Sequence, residues 1–351
     1  MTATASSPSL NVDTLARNEL PPHLDENLLT PRFYTTEFDK ASKTDLDIAK
    51  KDFEAVFKEM EADYNLKHFD RKASLERLNE LSPEDKAVYE SYLVRSVVSE
   101  FSGFLLFKEI SNRFKKSGRK ELGQFFQFLA RDEARHAGFL GRALKEEGIN
   151  VDLPNLPKKR AATFFPLSWV LYSLYLSEKI GYWRYILINR HLKAHPEKSC
   201  APLFDFFEPW CQDENRHGDC INMMMRCWPG MTKGFRGKIL SRFFLWTVFL
   251  THTLTVCERG DFYKLLGVDP VKFDEEVIIQ TNNTSKNAFP WVYKFDDGKF
   301  IEMRSLILQA FRDWQEEKGM KKPFAFVRFA SLILRQFALP MEKTKAVRYS
   351  V

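Results

Sequence analysis

Asp132-Glu133-Ala134-Arg135-His136 returns eighty-one residues later as Asp213-Glu214-Asn215-Arg216-His217, and this repeat decides the fold. Each copy sets a Glu and a His three residues apart, so on a helix both side chains leave one face, about 60° apart. Two such inward pairs, joined by one Glu from each of two further helices, make up the ligand set of a carboxylate-bridged dimetal bundle. The further acids are present. Glu100 sits in VVSEFSGFLLF and Glu178 in LYSLYLSEKIGYW, each a lone acid in a long apolar helical stretch. The order Glu, Glu-x-x-His, Glu, Glu-x-x-His reads as a duplicated helix pair.

One copy alone would be read as a solvated charged face. Two copies, each preceded by an inward-facing Glu, require more. Four carboxylates turned into one core repel each other and cost several kcal/mol each to desolvate, a cost that two divalent cations remove. Carboxylates and imidazoles without thiolates suit iron or manganese and argue against structural zinc. The candidate metal ligands are Glu100, Glu133, His136, Glu178, Glu214 and His217. Asp132 and Asp213 are placed to accept the free ring N–H of a liganding His, with Arg135 and Arg216 in turn holding the aspartates. Ordinary ion pairs on a helix surface are the alternative for those four.

The rest of the 351 residues fits a globular, all-α protein: 44% hydrophobic and 28% charged is not the composition of a disordered chain. Thirty-two Phe against 11 Tyr and 7 Trp make the interior ring-rich. A net charge of +6 without a basic stripe does not call for nucleic acid, though it suits an anionic lipid surface. Five cysteines, odd in number and without metal spacing, read as reduced thiols in a cytosol-like compartment. Cys211 and Cys220, which bracket the second pentapeptide, read as small buried filler. The first 25 residues lack the apolar stretch of a signal peptide and the Arg-rich character of a transit peptide.

Helical signals organise the chain. A polar leader covers 1–28, and the bundle occupies 29–235. Ser82-Pro83-Glu84-Asp85 is an N-cap, a first-turn Pro and two acids facing the helix dipole. The helix it opens carries Glu100 to about Lys116, and a second from about Lys120 carries Glu133 and His136 to near Gly148. A third runs from about Pro166 to His195 with Glu178. The fourth carries Glu214, but Pro209 either starts it or kinks it. A helical extension over 236–351 follows. Its Phe243–Cys257 run has no formal charge and, at fifteen residues, falls short of the ~20 needed to cross a bilayer, so it reads as a buried or interfacial helix. Gly267 to Lys299 reads as less regular. The basic and aromatic segment 318–339 is a candidate for lying on a membrane, with packing on the bundle as the alternative.

NLLTPRFYTTEF (27–38), the two pentapeptides, PLSWVLYSLYLSEKIGYWRYI (166–186) and PLFDFFEPWCQDENRHGDCINM (202–223) together closely resemble the aerobic magnesium-protoporphyrin IX monomethyl ester oxidative cyclase family. The resemblance covers nearly the whole chain from about Leu28. It implies a ferritin-like four-helix bundle with a dimetal centre plus the C-terminal helical extension, holding two Fe bound by the six residues with at least one Glu bridging. It also implies a monooxygenase-type reaction with O2 that closes the fifth ring of chlorophyll, giving 3,8-divinyl protochlorophyllide. The methyl propionate side chain is oxidised in stages to a ketone and joined to a ring carbon. Electrons would come from ferredoxin or a reductase supplied by NADPH, since the chain shows no dinucleotide or flavin fingerprint. A small accessory protein and a peripheral place on the cytoplasmic side of a phototroph's thylakoid or plasma membrane complete the expectation.

Two further readings share the ligand set. One is another di-iron oxygenase or desaturase acting on an apolar substrate, and the other is a non-catalytic iron-storage protein, which would not need the long extension. A flat macrocycle calls for an aromatic cleft, for which Phe101, Phe104, Phe125, Phe126, Phe206 and Phe207 are candidates.

Overall fold

Ser82 accepts a hydrogen bond from the Asp85 amide at 3.1 Å, and Pro83 opens the longest helix, as their chemistry dictates. The computed structural model describes residues 30–69, 78, 80–159, 161–199 and 202–345; the expected leader lies outside them. In chain order these residues form β1 (Tyr34–Thr35), α1 (Phe38–Ala41), α2 (Lys50–Ala62), α3 (Pro83–Lys116), α4 (Lys120–Glu146), α5 (Leu156–Lys159), β2 (Thr163–Phe164), α6 (Leu167–Ala194) and α7 (Phe207–Arg226). The extension holds α8 (Pro229–Thr232), α9 (Gly234–Glu258), α10 (Gly260–Leu265), α11 (Pro270–Ser285), β3 (Trp291–Tyr293), α12 (Lys299–Glu316), α13 (Lys321–Phe337) and β4 (Met341–Lys343).

Two helix hairpins, α3 with α4 and α6 with α7, form the bundle. Gly118, at φ +80°, ends α3 in a left-handed conformation that a side chain would strain, and Arg119 N then bonds back to the Phe114 carbonyl. Pro209 neither starts nor kinks α7. A 3-10 turn over Pro202–Phe206 leads in, the helix begins at Phe207, and Pro209 falls in the first turn, where no N–H is needed. The many aromatic residues fill the interior: Phe107, Phe114, Phe125, Phe126, Phe139, Tyr172, Tyr175 and Trp210 are fully buried.

The segment before α1 lies across the bundle. β1 pairs in parallel with β2, Ser102 Oγ donates to the Arg32 carbonyl at 2.5 Å, and Glu37 accepts from the Leu167 amide at the start of α6. The core continues without a break into the extension through Phe244, Leu245, Phe249, Phe262, Val277 and Phe300. α9 is long and apolar enough to cross a membrane by length and composition, yet it packs on α6, α11 and β3. The expectation of irregular chain over 267–299 is corrected, because 270–285 is helix. Asp269 accepts from the amides of Val271 and Lys272, and Pro270 follows as the first helical residue, an N-terminus signal present in the sequence. Asn282 is accordingly a buried helix residue that donates to the Tyr293 carbonyl. α12 and α13 form a smaller cluster around Ile307, Ala310, Phe329 and Leu332. α13 leaves Phe324, Phe326, Val327 and Leu334 exposed.

Candidate metal centre

The four long helices bring all six candidate ligands to the middle of the bundle, each buried. They fall into two triads, Glu100 with His136 and Glu214, and Glu133 with Glu178 and His217. Within each triad one potential ligand atom per residue lies within 4.8 Å of the others, so each could hold a metal ion. The triads interlock. Each hairpin supplies a Glu and a His to its own triad, and the Glu of its pentapeptide to the other.

In each ring Nδ1 faces the carboxylates. His136 Nδ1 is 3.3 Å from Glu100 Oε2 and 3.7 Å from Glu214 Oε1. His217 Nδ1 is 3.2 Å from Glu133 Oε1 and 3.4 Å from Glu178 Oε2. The other nitrogens meet aspartates, and the pairing crosses between hairpins: His136 Nε2 lies 3.1 Å from Asp213, and His217 Nε2 lies 3.5 Å from Asp132. A ring held this way presents Nδ1 to a metal. Arg216 binds Asp213 at 2.5 Å, and Asn65, from the loop after α2, donates to the same oxygen at 2.8 Å. Arg135 reaches Asp132 at 3.4 Å, but its main partner is Asp63, which it grips with both terminal nitrogens. The closer cation on Asp132 is Arg131 at 2.9 Å. Neither Asn65 nor Arg131 stands out in the sequence. Asn65 lies 148 residues from its partner, and Arg131 sits one position ahead of the repeated string.

Trp210 donates to Glu214 Oε1 at 2.7 Å and stacks on His136 with centroids 4.3 Å apart. Tyr185 donates to Glu100 at 3.3 Å. Gly103, three residues after Glu100, leaves room for Glu133: a Cβ there would stand 2.8 Å from its Oε2.

The electrostatics call for cations. Burial, with Glu100 and Glu178 nearby, pushes Glu133 up to about 8. Burial, then Glu178, Glu100 and Glu133, drives Glu214 well above the usual carboxylate range. Burial opposes a charge on His136, but hydrogen bonds to Asp213 and Glu100 outweigh it and raise the ring to about 9. Asp213 goes the other way, its burial outweighed by His136. Carboxylates that must take up protons in the absence of metal are a site that divalent cations would fit. Both ring nitrogens of buried His217 lack a well-aligned hydrogen bond, which agrees.

A cavity of about 160 Å³ adjoins the cluster, walled by the four Glu, Ser99, Gly103, Ser177, Gly181, Arg184 and Tyr185 and covered by Pro31, Arg32 and Tyr34. The expected aromatic cleft is corrected, since none of the six phenylalanines lines this cavity. Phe125 packs on Phe53, Phe126 on Phe114, Phe206 on Phe139 and Phe207 on Tyr185, while Phe101 and Phe104 pair with each other. Cys211 and Cys220 are buried free thiols, and burial drives Cys220 well above the usual thiol value.

The Rubrerythrin family model matches residues 91–225, the span of the bundle that carries every candidate ligand. A magnesium-protoporphyrin IX monomethyl ester [oxidative] cyclase of Prochlorococcus marinus is 86% identical over 350 residues, covering 100% of both chains. A cyclase 2 of Thermosynechococcus vestitus is 53% identical over 90% of this chain and 92% of its own length. The corresponding cyclase 2 of a Synechocystis species is 49% identical over 79% and 77%. No solved structure matches. On identity of that order along its full length, the chain belongs to the magnesium-protoporphyrin IX monomethyl ester oxidative cyclase family.

Proposed function

We propose that the six side chains hold two irons and that the protein closes the fifth ring of chlorophyll, converting magnesium-protoporphyrin IX 13-monomethyl ester to 3,8-divinyl protochlorophyllide with O2 and external electrons. The observation that carries this is the pair of interlocked carboxylate–imidazole triads, buried beside a cavity, in a chain of this family. Iron bound there would supply oxygen activation strong enough to take hydrogen from an unactivated methylene. The chain's own residues do the rest. Asp213 fixes the His136 tautomer, Asp132 faces the outer nitrogen of His217, and Tyr185 and Trp210 orient Glu100 and Glu214.

The cavity is smaller than the ~300 Å³ at which ligand pockets begin, so it admits a reacting side chain and not a macrocycle. The ring therefore docks with one edge inward, on the side that Pro31, Arg32 and Tyr34 cover. Electrons would come from a ferredoxin or an NADPH-dependent reductase, and a small accessory protein would be a further partner. The exposed apolar residues of α13, beside Lys321, Lys322 and Arg328, support a peripheral position on the cytoplasmic side of a thylakoid or plasma membrane.

The test is reconstitution with iron, oxygen and a ferredoxin-type electron supply. The expected readout is a red-shifted tetrapyrrole absorption that depends on all three, with the ketone oxygen derived from O2. Turnover that persists strictly without oxygen refutes the reading. An iron-loaded, reducible protein that leaves the porphyrin untouched but oxidises an acyl chain points to a desaturase.

A further inference from the structure

Beside the metal cavity lies a group of cations with too few anions. Arg184, on α6 six residues after Glu178, lines the cavity. Its guanidinium sits over the Tyr185 ring, 4.8 Å from the centroid, and donates to the Tyr185 hydroxyl at 3.1 Å. That hydroxyl donates to Glu100. One phenol therefore separates Arg184 from the candidate metal ligands. Burial, with Arg184 and Arg95 close by, pushes Arg259 below the ordinary guanidinium value, which places three arginines together. Arg95 has an acid partner, Glu258 at 3.3 Å. Among the described residues no carboxylate makes a salt bridge to Arg184 or Arg259, and the Nε of each is buried without a hydrogen-bond partner. The buried Tyr92 hydroxyl, near both, lacks one as well.

Half-buried guanidinium groups whose Nε atoms are buried without a partner, and which meet a phenol but no carboxylate among the described residues, are under-compensated, so this arrangement suits an anion that arrives from outside. The substrate in the function proposed above, on which this inference rests, brings one. Its reacting propionate is a methyl ester and uncharged, whereas the propionate on the neighbouring pyrrole ring is a free carboxylate. When the ring edge enters the cavity, that carboxylate loses its water and needs a cation. Six residues along α6 is about 9 Å, a span comparable with the separation of side chains on adjacent pyrroles.

We propose that Arg184, backed by Arg259, binds the free propionate of the substrate and so directs the esterified chain toward Glu100, Glu133, Glu178 and Glu214. The pocket selects the monoester over the diester. It also sets which propionate reacts, because a ring turned the other way would place a carboxylate among four carboxylates and an ester on the guanidinium.

The experiment compares equilibrium binding of the magnesium-protoporphyrin monomethyl and dimethyl esters to the iron-loaded protein without oxygen, read by tetrapyrrole fluorescence. The unaltered protein should prefer the monoester by about ten- to a hundredfold, the scale of a desolvated charge-assisted pair. Arg184→Gln should bind both esters alike, at the diester's affinity, while Arg184→Lys keeps part of the preference. Equal binding of the two esters by the unaltered protein overturns the proposal, as does undiminished preference in Arg184→Gln. The ester comparison needs no substitution, so a variant that fails to fold leaves the decision intact. Monoester turnover without ester preference removes the anchor alone. Failure to bind or convert either ester removes the anchor and the proposed function together.

Discussion

Gly103→Ala and Gly181→Ala are matched perturbations with opposite expected results. The two glycines stand three residues after Glu100 and Glu178, in equivalent places of the two hairpins. A Cβ at 103 would meet Glu133 Oε2 at 2.8 Å and its Cδ at 3.0 Å, whereas one at 181 finds Glu214 Oε2 at an ordinary 3.5 Å. At 103 the carboxylate must retreat by about 0.7 Å to reach normal contact. Metal–ligand distances tolerate about 0.2 Å, and a misplacement of about 1 Å can cost ~100-fold in turnover. The helix itself gains, because Ala is favoured over Gly by about 0.8–1.0 kcal/mol in a helix interior. Since the displaced atoms are the far end of a flexible side chain, the metal-free protein with Gly103→Ala should keep its helix content and its Tm. Its iron content and turnover should fall sharply. Gly181→Ala should load iron normally and melt no lower than the parent. Iron analysis, thermal melts with and without metal, and turnover of both variants make the comparison. Full iron loading and parental turnover in Gly103→Ala would refute the placement of Glu133 as a ligand.

Glu133→Ala and Glu214→Ala should each lose metal and activity while retaining most helix content, and full iron occupancy in both would defeat the ligand assignment. Asp213→Asn, which replaces the acceptor on His136 Nε2 by an amide, should lower metal affinity by about 10- to 100-fold, measured by competition with a chelator. The metal-free protein should lose stability as pH rises from about 4.5 to about 8, because Glu133 in the folded state holds a proton that the unfolded chain releases near its ordinary value. His136, raised to about 9, adds a term of the same sign: its contribution is complete below about 6.5 and lost as pH climbs through about 9. Denaturant midpoints that stay level or rise across that window would contradict both. Replacing exposed Phe324, Val327 and Leu334 on α13 with Ser should abolish flotation with anionic vesicles, and the membrane proposal fails if the unaltered protein does not float.

The candidate ligands and the helices were legible in the sequence because each signal is local. A Glu and a His three apart, a lone acid in an apolar run, and a Ser-Pro start are all visible within one or two helical turns. What was missed is of two kinds. The Asp269-Pro270 start of α11 was as plain as Ser82-Pro83, yet the stretch it opens was expected to be irregular and is helix. Asn65, Arg131 and Arg184 carry no such signal. Asn65 acts on Asp213 through a contact that exists only after α2 has docked, and Arg184 is one cation among the rings of GYWRYI until the fold shows that, among the described residues, no carboxylate pairs with it. The aromatic cleft failed for a related reason. Sequence proximity to the ligands placed those phenylalanines beside the site, but helical phase turned most of them into the core behind it.

The crossed pairing gives the duplication a physical meaning. If each pentapeptide had served only its own hairpin, two independent half-sites would follow, and nothing in the site would hold the hairpins in register. Instead the Asp and Glu of each string reach across, Glu214 to the His136 triad and Glu133 to the His217 triad, with Asp213 on His136 and Asp132 on His217. Neither triad exists until both hairpins have packed. Any free energy of metal binding therefore adds to hairpin docking and not to either hairpin alone. Lys179 fastens the α6–α7 hairpin separately. Buried against Gly218, it donates to the carbonyl and side chain of Asn215 and to Asp219, so that half keeps its alignment without metal. The frame is thus set by apolar packing and one buried lysine, and the four acids, which oppose burial, are left to be satisfied by cations.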